Sequence, residues 1–558
     1  MRKKINAVIA ATLDHCFETG LLSKTPVPDY VIEIPNNPDH GHFATNLPLI
    51  LASTQKRRPS EIASALVDHI KDEENLLETA EVAGPGFINF RIRPEKWHEV
   101  LSDIVLSKEN YGRNDLGQGE KINIEYISAN PTGPLHVGHG RGAALGDTLC
   151  RIFSVCGYDV VREFYINDAG LQIRLLGESI FSRFKQKNDP EYPFPENGYH
   201  GDYVIDLAGT ISREVDLNDI PEEQAIALCA EKGKAMMLEQ IKHTLARFRI
   251  EFDVWYSESD LYSSGRLQEV LDVMKAKGEL YESEGALWIK TSDFGDDKDR
   301  VIRKNDGQFT YFAADISYHL NKYNRGFTKA INIWGADHHG YVPRVKAALA
   351  SHGIPDNWLS VMLIQLVKLW KDGQEIKMSK RSGNFVTLKE LGDEVGEDAV
   401  RFVFLTKNHD SPLDFDIDLV KKQDSENPVY YVQYAHARIC SIFRKAAEND
   451  ISLQDQAQVS PERLVSDAEM ALIRRMAEFP SLLEDICRTL EPHRLTYYLT
   501  DLAASFHRYF NLGTKHPDHR IVTDDRDLSR SRLLLAEAVR IVIAKGLDLL
   551  GISAPEKM

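Results

Sequence analysis

At 558 residues the chain is too long for a single hydrophobic core, and about three or four domains are expected. Its 43% apolar and 27% charged side chains are those of an ordinary globular protein, and no run of about 18 apolar residues predicts a membrane-spanning helix. The net charge of −17 excludes the broad basic footprint of a non-specific nucleic-acid binder, but from residue 427 onward 17 Lys and Arg stand against 18 Asp and Glu, leaving that end open to a phosphate-bearing partner.

Met1-Arg-Lys-Lys4 ahead of Ile5–Ala11 has the outline of an export signal. Asn6, Asp14 and His15 interrupt it, however, and no small-residue cleavage site follows. Ile5, Ile9, Leu13, Phe17 and Leu21 recur every fourth residue and predict an amphipathic first helix. The first unit, residues 1 to about 116, also holds Asn36-Asn-Pro-Asp-His-Gly-His-Phe-Ala-Thr45 and Glu81-Val-Ala-Gly-Pro-Gly-Phe-Ile-Asn-Phe90, the latter a turn feeding an alternating strand. The glycine-rich stretch Tyr111–Gly119 predicts the boundary.

From Lys121 the pattern alternates strand and helix: strand Lys121–Ile127, helix Arg141–Cys156, strand Asp159–Ile166, then strand Lys329–Trp334, helix Val342–Ser351 and strand Val361–Trp370. Such alternation predicts a parallel, doubly wound sheet over residues 117–426. An insertion is expected at about 175–300, with a Pro/Tyr-rich stretch, Asn188–Tyr203, and long amphipathic helices. Residues 427–558 read almost wholly as helix, broken near Pro461, Pro480, Pro492 and Pro517. The six cysteines (Cys16, Cys150, Cys156, Cys229, Cys440, Cys487) form no C-x-x-C pair. That argues against structural zinc or a disulfide framework and predicts a reducing, cytoplasmic setting.

Two elements carry chemistry. Behind the first strand lies Asn130-Pro-Thr-Gly-Pro-Leu-His-Val-Gly-His139, in which Pro131 and Pro134 stiffen the loop while Gly133 and Gly138 leave room for close approach. His136 and His139, three apart at a helix start, can face one anion where backbone amides already favour it. Some 240 residues later, beyond another strand-like run, comes Lys377-Met-Ser-Lys380, whose lysines suit a phosphate that moves. Alone, the first is equally a surface turn and the second a solvated basic turn. Their order, each behind an apolar strand, favours a nucleotide site. Three carboxylates also stand out: Glu125 inside the first strand, Asp315 and Asp337. A buried carboxylate needs a cation, which a ligand's guanidinium or a protein Arg or Lys can supply equally well.

The paired elements resemble the signatures of class I aminoacyl-tRNA synthetases. The continuous run Glu125-Tyr-Ile-Ser-Ala-Asn-Pro-Thr-Gly-Pro-Leu-His-Val-Gly-His139, followed by Phe164-Tyr-Ile-Asn-Asp-Ala-Gly-Leu-Gln172, resembles the arginyl-tRNA synthetase family, and the likeness spans essentially the whole chain. It implies a multidomain α/β protein with a class I Rossmann-like parallel-sheet catalytic domain, a small α+β N-terminal domain that contacts the tRNA elbow, and an all-α C-terminal anticodon-binding bundle that includes Ala435-His-Ala-Arg438 and Tyr509-Phe-Asn511. By position it implies an arginine pocket of Glu125, Ser128, Asn130, Tyr311, Asp315 and Asp337, the last where some members have glutamine. It implies ATP contacts at Pro131, Thr132, Gly133, His136, Gly138 and His139 and at Lys377, Met378, Ser379 and Lys380, with His136, His139, Lys377 and Lys380 catalytic.

The implied partners are L-arginine, tRNA(Arg) and ATP with Mg2+ as the substrate complex, without prosthetic group, dedicated metal site or membrane, acting as a monomer. Many arginyl enzymes have a degraded second motif, whereas both lysines stand here, which bears on whether activation needs tRNA. A cysteinyl enzyme would bring zinc-ligand cysteines, and a glutamyl enzyme cationic pocket residues. A non-catalytic tRNA-binding relative would not need both motifs, and a small-molecule nucleotidyltransferase would not need the helical tail.

Overall fold

The computed structural model describes residues 1–376, 386–453 and 459–558. The first helix, Arg2–Glu18, buries Ile5, Ile9 and Leu13 together with Val8 and Cys16, so the stripe follows the true helical period; Phe17 is half-buried and Leu21 lies past the helix end. It packs on the helix Pro59–Asp68, which itself lies on a four-stranded antiparallel sheet ordered Ile32–Glu33, Phe43–Thr45, Phe87–Ile92, Leu77–Ala83. The expected turn at Gly84–Gly86 joins the last two strands, and Ile88, Phe90 and Ile92 alternate into the core.

The central sheet has five parallel strands: β1 (Lys121–Glu125), β2 (Asp159–Ile166), β3 (Val254–Ser257), β4 (Lys329–Gly335) and β5 (Leu359–Ile364). Their order, β5-β4-β1-β2-β3, reverses direction between β1 and β4, the position where doubly wound sheets open a crevice at the strands' carboxyl ends. Helix α1 (Val137–Val155) follows β1, α2 (Glu258–Ser263) follows β3, and α3 (Tyr311–Asn324) precedes β4.

Two expectations change. The stretch expected as an insertion contains β3, an edge strand of the central sheet; the helices before it, Leu171–Gln186, Asp202–Glu214 and Glu222–Arg247, bury their own core of Leu176, Ile180, Val204, Leu207 and Met237. The strand expected over Val361–Trp370 is two strands. β5 ends at Ile364, and Val367–Lys371 joins a separate sheet with Gln374–Ile376 and Leu413–Asp416. The bend between them is pinned by Arg141 of α1, a fully buried guanidinium that donates to the carbonyls of Gln365, Asn408 and Ser411 at 2.8–2.9 Å.

Among the described residues the C-terminal part has no strand; its helices Pro428–Glu448, Asp467–Ala477, Phe479–Thr489, His493–Lys515 and Arg526–Leu549 pack on Val432, Leu472, Leu499, Phe506 and Val539. Pro480 and Pro492 start helices, where the missing N–H costs nothing. Arg401 ties this bundle to α1: its guanidinium donates to Leu550 O at 2.7 Å and to Asp147 Oδ2 at 2.5 Å.

Candidate active site

At the switch point β1 ends in Glu125, and the chain leaves the sheet through Ile127 and Ser128, both left-handed at φ 70° and 42°. That region strains a β-branched residue such as isoleucine, so neighbouring contacts must hold the turn. Ser128 supplies one: its hydroxyl donates to Glu125 Oε1 at 2.9 Å and accepts from Tyr165 N at 3.2 Å. The turn delivers the Asn130–His139 loop to the start of α1.

His136 caps α1, its Nδ1 accepting from Gly138 N at 3.1 Å, while His139 Nδ1 accepts from His136 N at 3.2 Å. The rings stack at 3.7 Å. With both Nδ1 atoms accepting, each neutral ring carries its proton on Nε2, a donor suited to a phosphate oxygen. A Cβ at Gly138 would come 3.0 Å from His136 Cε1, so glycine lets this stacked pair form. Further along the loop, Tyr203 donates to Thr132 O at 2.9 Å and sits where a Cβ on Gly133 would be 3.0 Å away; this stretch, whose role the sequence does not disclose, thus braces the loop. Asn130 donates to Gln172.

The expected second element, Lys377, Met378, Ser379 and Lys380, lies outside the described residues. Its flanks are described: a strand ends at Ile376, and the chain returns at Val386 hydrogen-bonded to the histidine loop, Val137 N donating to Val386 O at 3.4 Å and Leu388 N to Leu135 O at 2.8 Å. Thr387 then caps a helix with a reciprocal bond to Glu390.

Beside this loop opens a cavity of about 490 Å³. Tyr165 and Asn167 from the end of β2, Glu258 from the start of α2, Asp337 and His338 from beyond β4, Tyr311, Ala314 and Asp315 from α3, and Tyr341 and Arg344 line it. Two of its carboxyls are perturbed. Burial pushes Asp315 up to about 7, the Tyr341 hydroxyl it accepts from opposing this and the charges of Glu258 and Glu125 adding to it. Burial also raises Glu258, 2% exposed, against the hydroxyls of Tyr165 and Tyr262. Among the described residues neither carboxyl has an ion-pair partner, so a cationic ligand would favour the ionised form of both. Tyr311 stands at the mouth, 63% exposed, and Asp337 projects into solvent at the rim, 3.8 Å from His338.

Glu125 differs. Burial pushes its carboxyl up, but Lys322 Nζ at 2.6 Å, His319 and the Ser128 hydroxyl outweigh this and hold it below the usual range. The cation that answers Glu125 is therefore a buried protein ammonium, not a space left for a ligand's guanidinium, and Glu125 does not line the cavity. Lys322 also donates to Asn332 Oδ1 at 3.1 Å; Asn332 donates to His319 Nε2 at 2.9 Å, and His319 Nδ1 donates to Asp315 O at 2.7 Å. One hydrogen-bonded row thus runs beneath the site from Glu125 to the Asp315 backbone. Burial lowers His319 to about 4, leaving it neutral, as both bonds require.

The structure therefore gathers Tyr311, Asp315 and Asp337 around one cavity, leaves Glu125 and Ser128 outside its lining but joined to it where Ser128 accepts from Tyr165 N, and puts Asn130, Pro131, Thr132, Gly133, His136, Gly138 and His139 on the stretch that leads into α1. Sequence reasoning missed Glu258, Asn167, Tyr165, Tyr341, Arg344 and the partner Lys322. A signal for Glu258 existed: a carboxylate directly after Val254-Trp-Tyr-Ser257 occupies the strand-end position where doubly wound sheets place ligand groups.

Comparison with known proteins agrees with this arrangement. The family described as "tRNA synthetases class I (R), catalytic domain" matches residues 100–439. "Arginyl tRNA synthetase N terminal domain" matches residues 2–92, and "DALR anticodon binding domain" residues 432–558. The chain is 48% identical over 564 aligned residues to the arginine–tRNA ligase of Desulfosudis oleivorans, covering 100% of both chains. With that of Aquifex aeolicus it shares 46% identity, covering 96% of this chain and 97% of the other. The solved arginyl-tRNA synthetase of Thermus thermophilus superposes with a TM-score of 0.76 at 25% identity, over 100% of both chains.

Proposed function

The chain belongs to the arginyl-tRNA synthetase family, and from that membership we propose that the acidic cavity and the histidine loop together carry its reaction, the ATP-dependent ligation of L-arginine to tRNA(Arg). In the first step arginine's carboxylate attacks the α-phosphorus of ATP, giving arginyl-adenylate and pyrophosphate. In the second the terminal ribose hydroxyl of the tRNA takes the arginyl group and AMP leaves. Such chemistry rests on placement and charge stabilisation rather than on a protein nucleophile.

Arginine's guanidinium enters the cavity against Asp315 and Glu258, its planar fork of donors matching two carboxylates. Tyr311 packs over it at the mouth, and Asp337 serves as a rim contact. Ser128 and Asn130 receive the other end of the amino acid. Glu125, neutralised by Lys322, serves as the fixed acceptor that holds Ser128. The Nε2 protons of His136 and His139 meet the α-phosphate as its charge grows. Backbone of Pro131, Thr132, Gly133 and Gly138 lets the nucleotide approach closely. Lys377 and Lys380 supply positive charge to the departing pyrophosphate, with Met378 and Ser379 between them contacting the nucleotide. Magnesium arrives on the triphosphate as part of the substrate.

The observation that carries this reading is two perturbed carboxyls in one cavity with no ion-pair partner among the described residues. Its test is pyrophosphate exchange with tRNA present, measured across arginine concentrations in Asp315→Ala. A large rise in the arginine requirement with ATP dependence unchanged is expected; an unaltered arginine dependence rejects the assignment. We further take residues 1–116 as the tRNA-elbow domain, 117–426 as catalytic and 427–558 as the anticodon-binding domain of a cytoplasmic monomer. No helix among the described residues is long and apolar enough to cross a membrane.

A further inference from the structure

Glu258 faces the cavity from α2, a helix of only 6 residues on the edge strand of the sheet, so something other than the helix itself must fix its direction. The residues on either side of it are held by one carboxylate. Asp168, in the turn after β2, accepts from the Ser257 hydroxyl at 2.9 and 3.0 Å, from Ser259 N at 3.0 Å and from the Ser259 hydroxyl at 3.3 Å. Ser257, the residue preceding α2, makes no capping bond with its own side chain, so Asp168 supplies that bond from the turn after β2. Lys234 of the helix Glu222–Arg247 stands 3.8 Å from the same carboxylate, which is largely shielded from solvent. Asp168 also follows Asn167, itself a cavity residue.

We infer that Asp168 is a positioning residue for amino-acid selection: it clamps Ser257 and Ser259 so that Glu258 stays aimed at the guanidinium across from Asp315. The inference rests on the reading that Glu258 and Asp315 receive that group. Asp168 touches no substrate in this account, so its removal acts on arginine through Glu258 and leaves the nucleotide end alone.

The test is a double-mutant cycle in the full-length enzyme with Asp168→Asn, Glu258→Gln and both together, read by pyrophosphate exchange with tRNA present. Asp168→Asn is expected to raise the KM for arginine about tenfold, the effect of about 1.4 kcal/mol of lost binding, with the KM for ATP unchanged. The double variant is expected to be no worse than Glu258→Gln alone. Fully additive effects, or KM values for arginine and ATP rising together, overturn the inference, because a general loss of structure moves both. If Glu258→Gln itself leaves the arginine KM unchanged, the parent reading fails instead. Should Asp168→Asn fold poorly, Ser259→Ala removes a single hydroxyl; a KM for arginine raised a few-fold supports the clamp, and an unchanged value counts against it.

Discussion

Arginine affinity is expected to rise about tenfold between about pH 6 and about pH 8, because the proposed site must lose a proton to bind a cation. Without ligand, burial pushes the Asp315 carboxyl up to about 7, with Tyr341 opposing and the Glu258 and Glu125 charges adding. A guanidinium against it favours the ionised form and expels the proton wherever the free enzyme holds one. With a bound-state pKa well below about 6, the apparent dissociation constant scales as 1 + 10^(pKa − pH), about 11 at pH 6 and about 1.1 at pH 8, a difference of about 1.4 kcal/mol. The neighbours do not reverse the sign: Glu258 is raised by burial and titrates in the same direction, Glu125 is held down by Lys322 against burial, and Tyr165 and Tyr341 are raised above the range. His338 and Arg344 face the same space, so His338→Gln serves as a control. Isothermal titration in two buffers of different ionisation heat measures affinity and proton release together. A dissociation constant that stays flat across this range, or one that keeps its pH dependence in Asp315→Asn, refutes the reasoning. The raised carboxyl also contributes folding stability at low pH that is lost as pH rises toward about 7, so stabilisation by bound arginine is expected to grow over the same window.

Lys322→Met is expected to cost about 3–5 kcal/mol in denaturant unfolding, because it strands the buried Glu125 charge, and adding Glu125→Gln should recover most of the loss. A single variant as stable as wild type would mean that Glu125 does not depend on this ammonium. His139→Ala is expected to slow adenylate formation on the order of 10²-fold in single-turnover assays while arginine affinity holds. A wild-type rate would count against the histidine's role. Tyr203→Phe deletes the bond to Thr132 O and is expected to raise the KM for ATP a few-fold, about 1 kcal/mol; an unchanged KM would show that the brace is dispensable.

What the sequence disclosed, and what it hid, follows from how far apart the partners lie. Strands β1, β2 and β4 and the helix Val342–Ser351 were legible because short apolar periods carry them locally. The bend that splits Val361–Trp370 was not, since the guanidinium that pins it belongs to Arg141, more than 200 residues earlier. Glu125 was recognised as a carboxylate needing a cation, but the two candidate answers could not be separated without Lys322, 197 residues away in sequence. Glu258 escaped because β3 is only 4 residues long and lies in a helix-rich stretch. His136 and His139 were visible as neighbours by spacing alone. The stacked geometry that directs their protons to Nε2 needed the backbone. Asp315 is legible in the sequence as a carboxylate, but its pairing with a guanidinium is implied only by the family resemblance, and its raised pKa is a property of the closed pocket.

The most direct measurement is a structure of the enzyme with L-arginine, or a non-hydrolysable arginyl-adenylate analogue, bound. The guanidinium is expected within hydrogen-bonding distance, about 3 Å, of both Asp315 and Glu258, with the adenylate phosphate beside His136 and His139. A guanidinium seated instead on Glu125 with Lys322 displaced, or outside the cavity against Asp337, would contradict it.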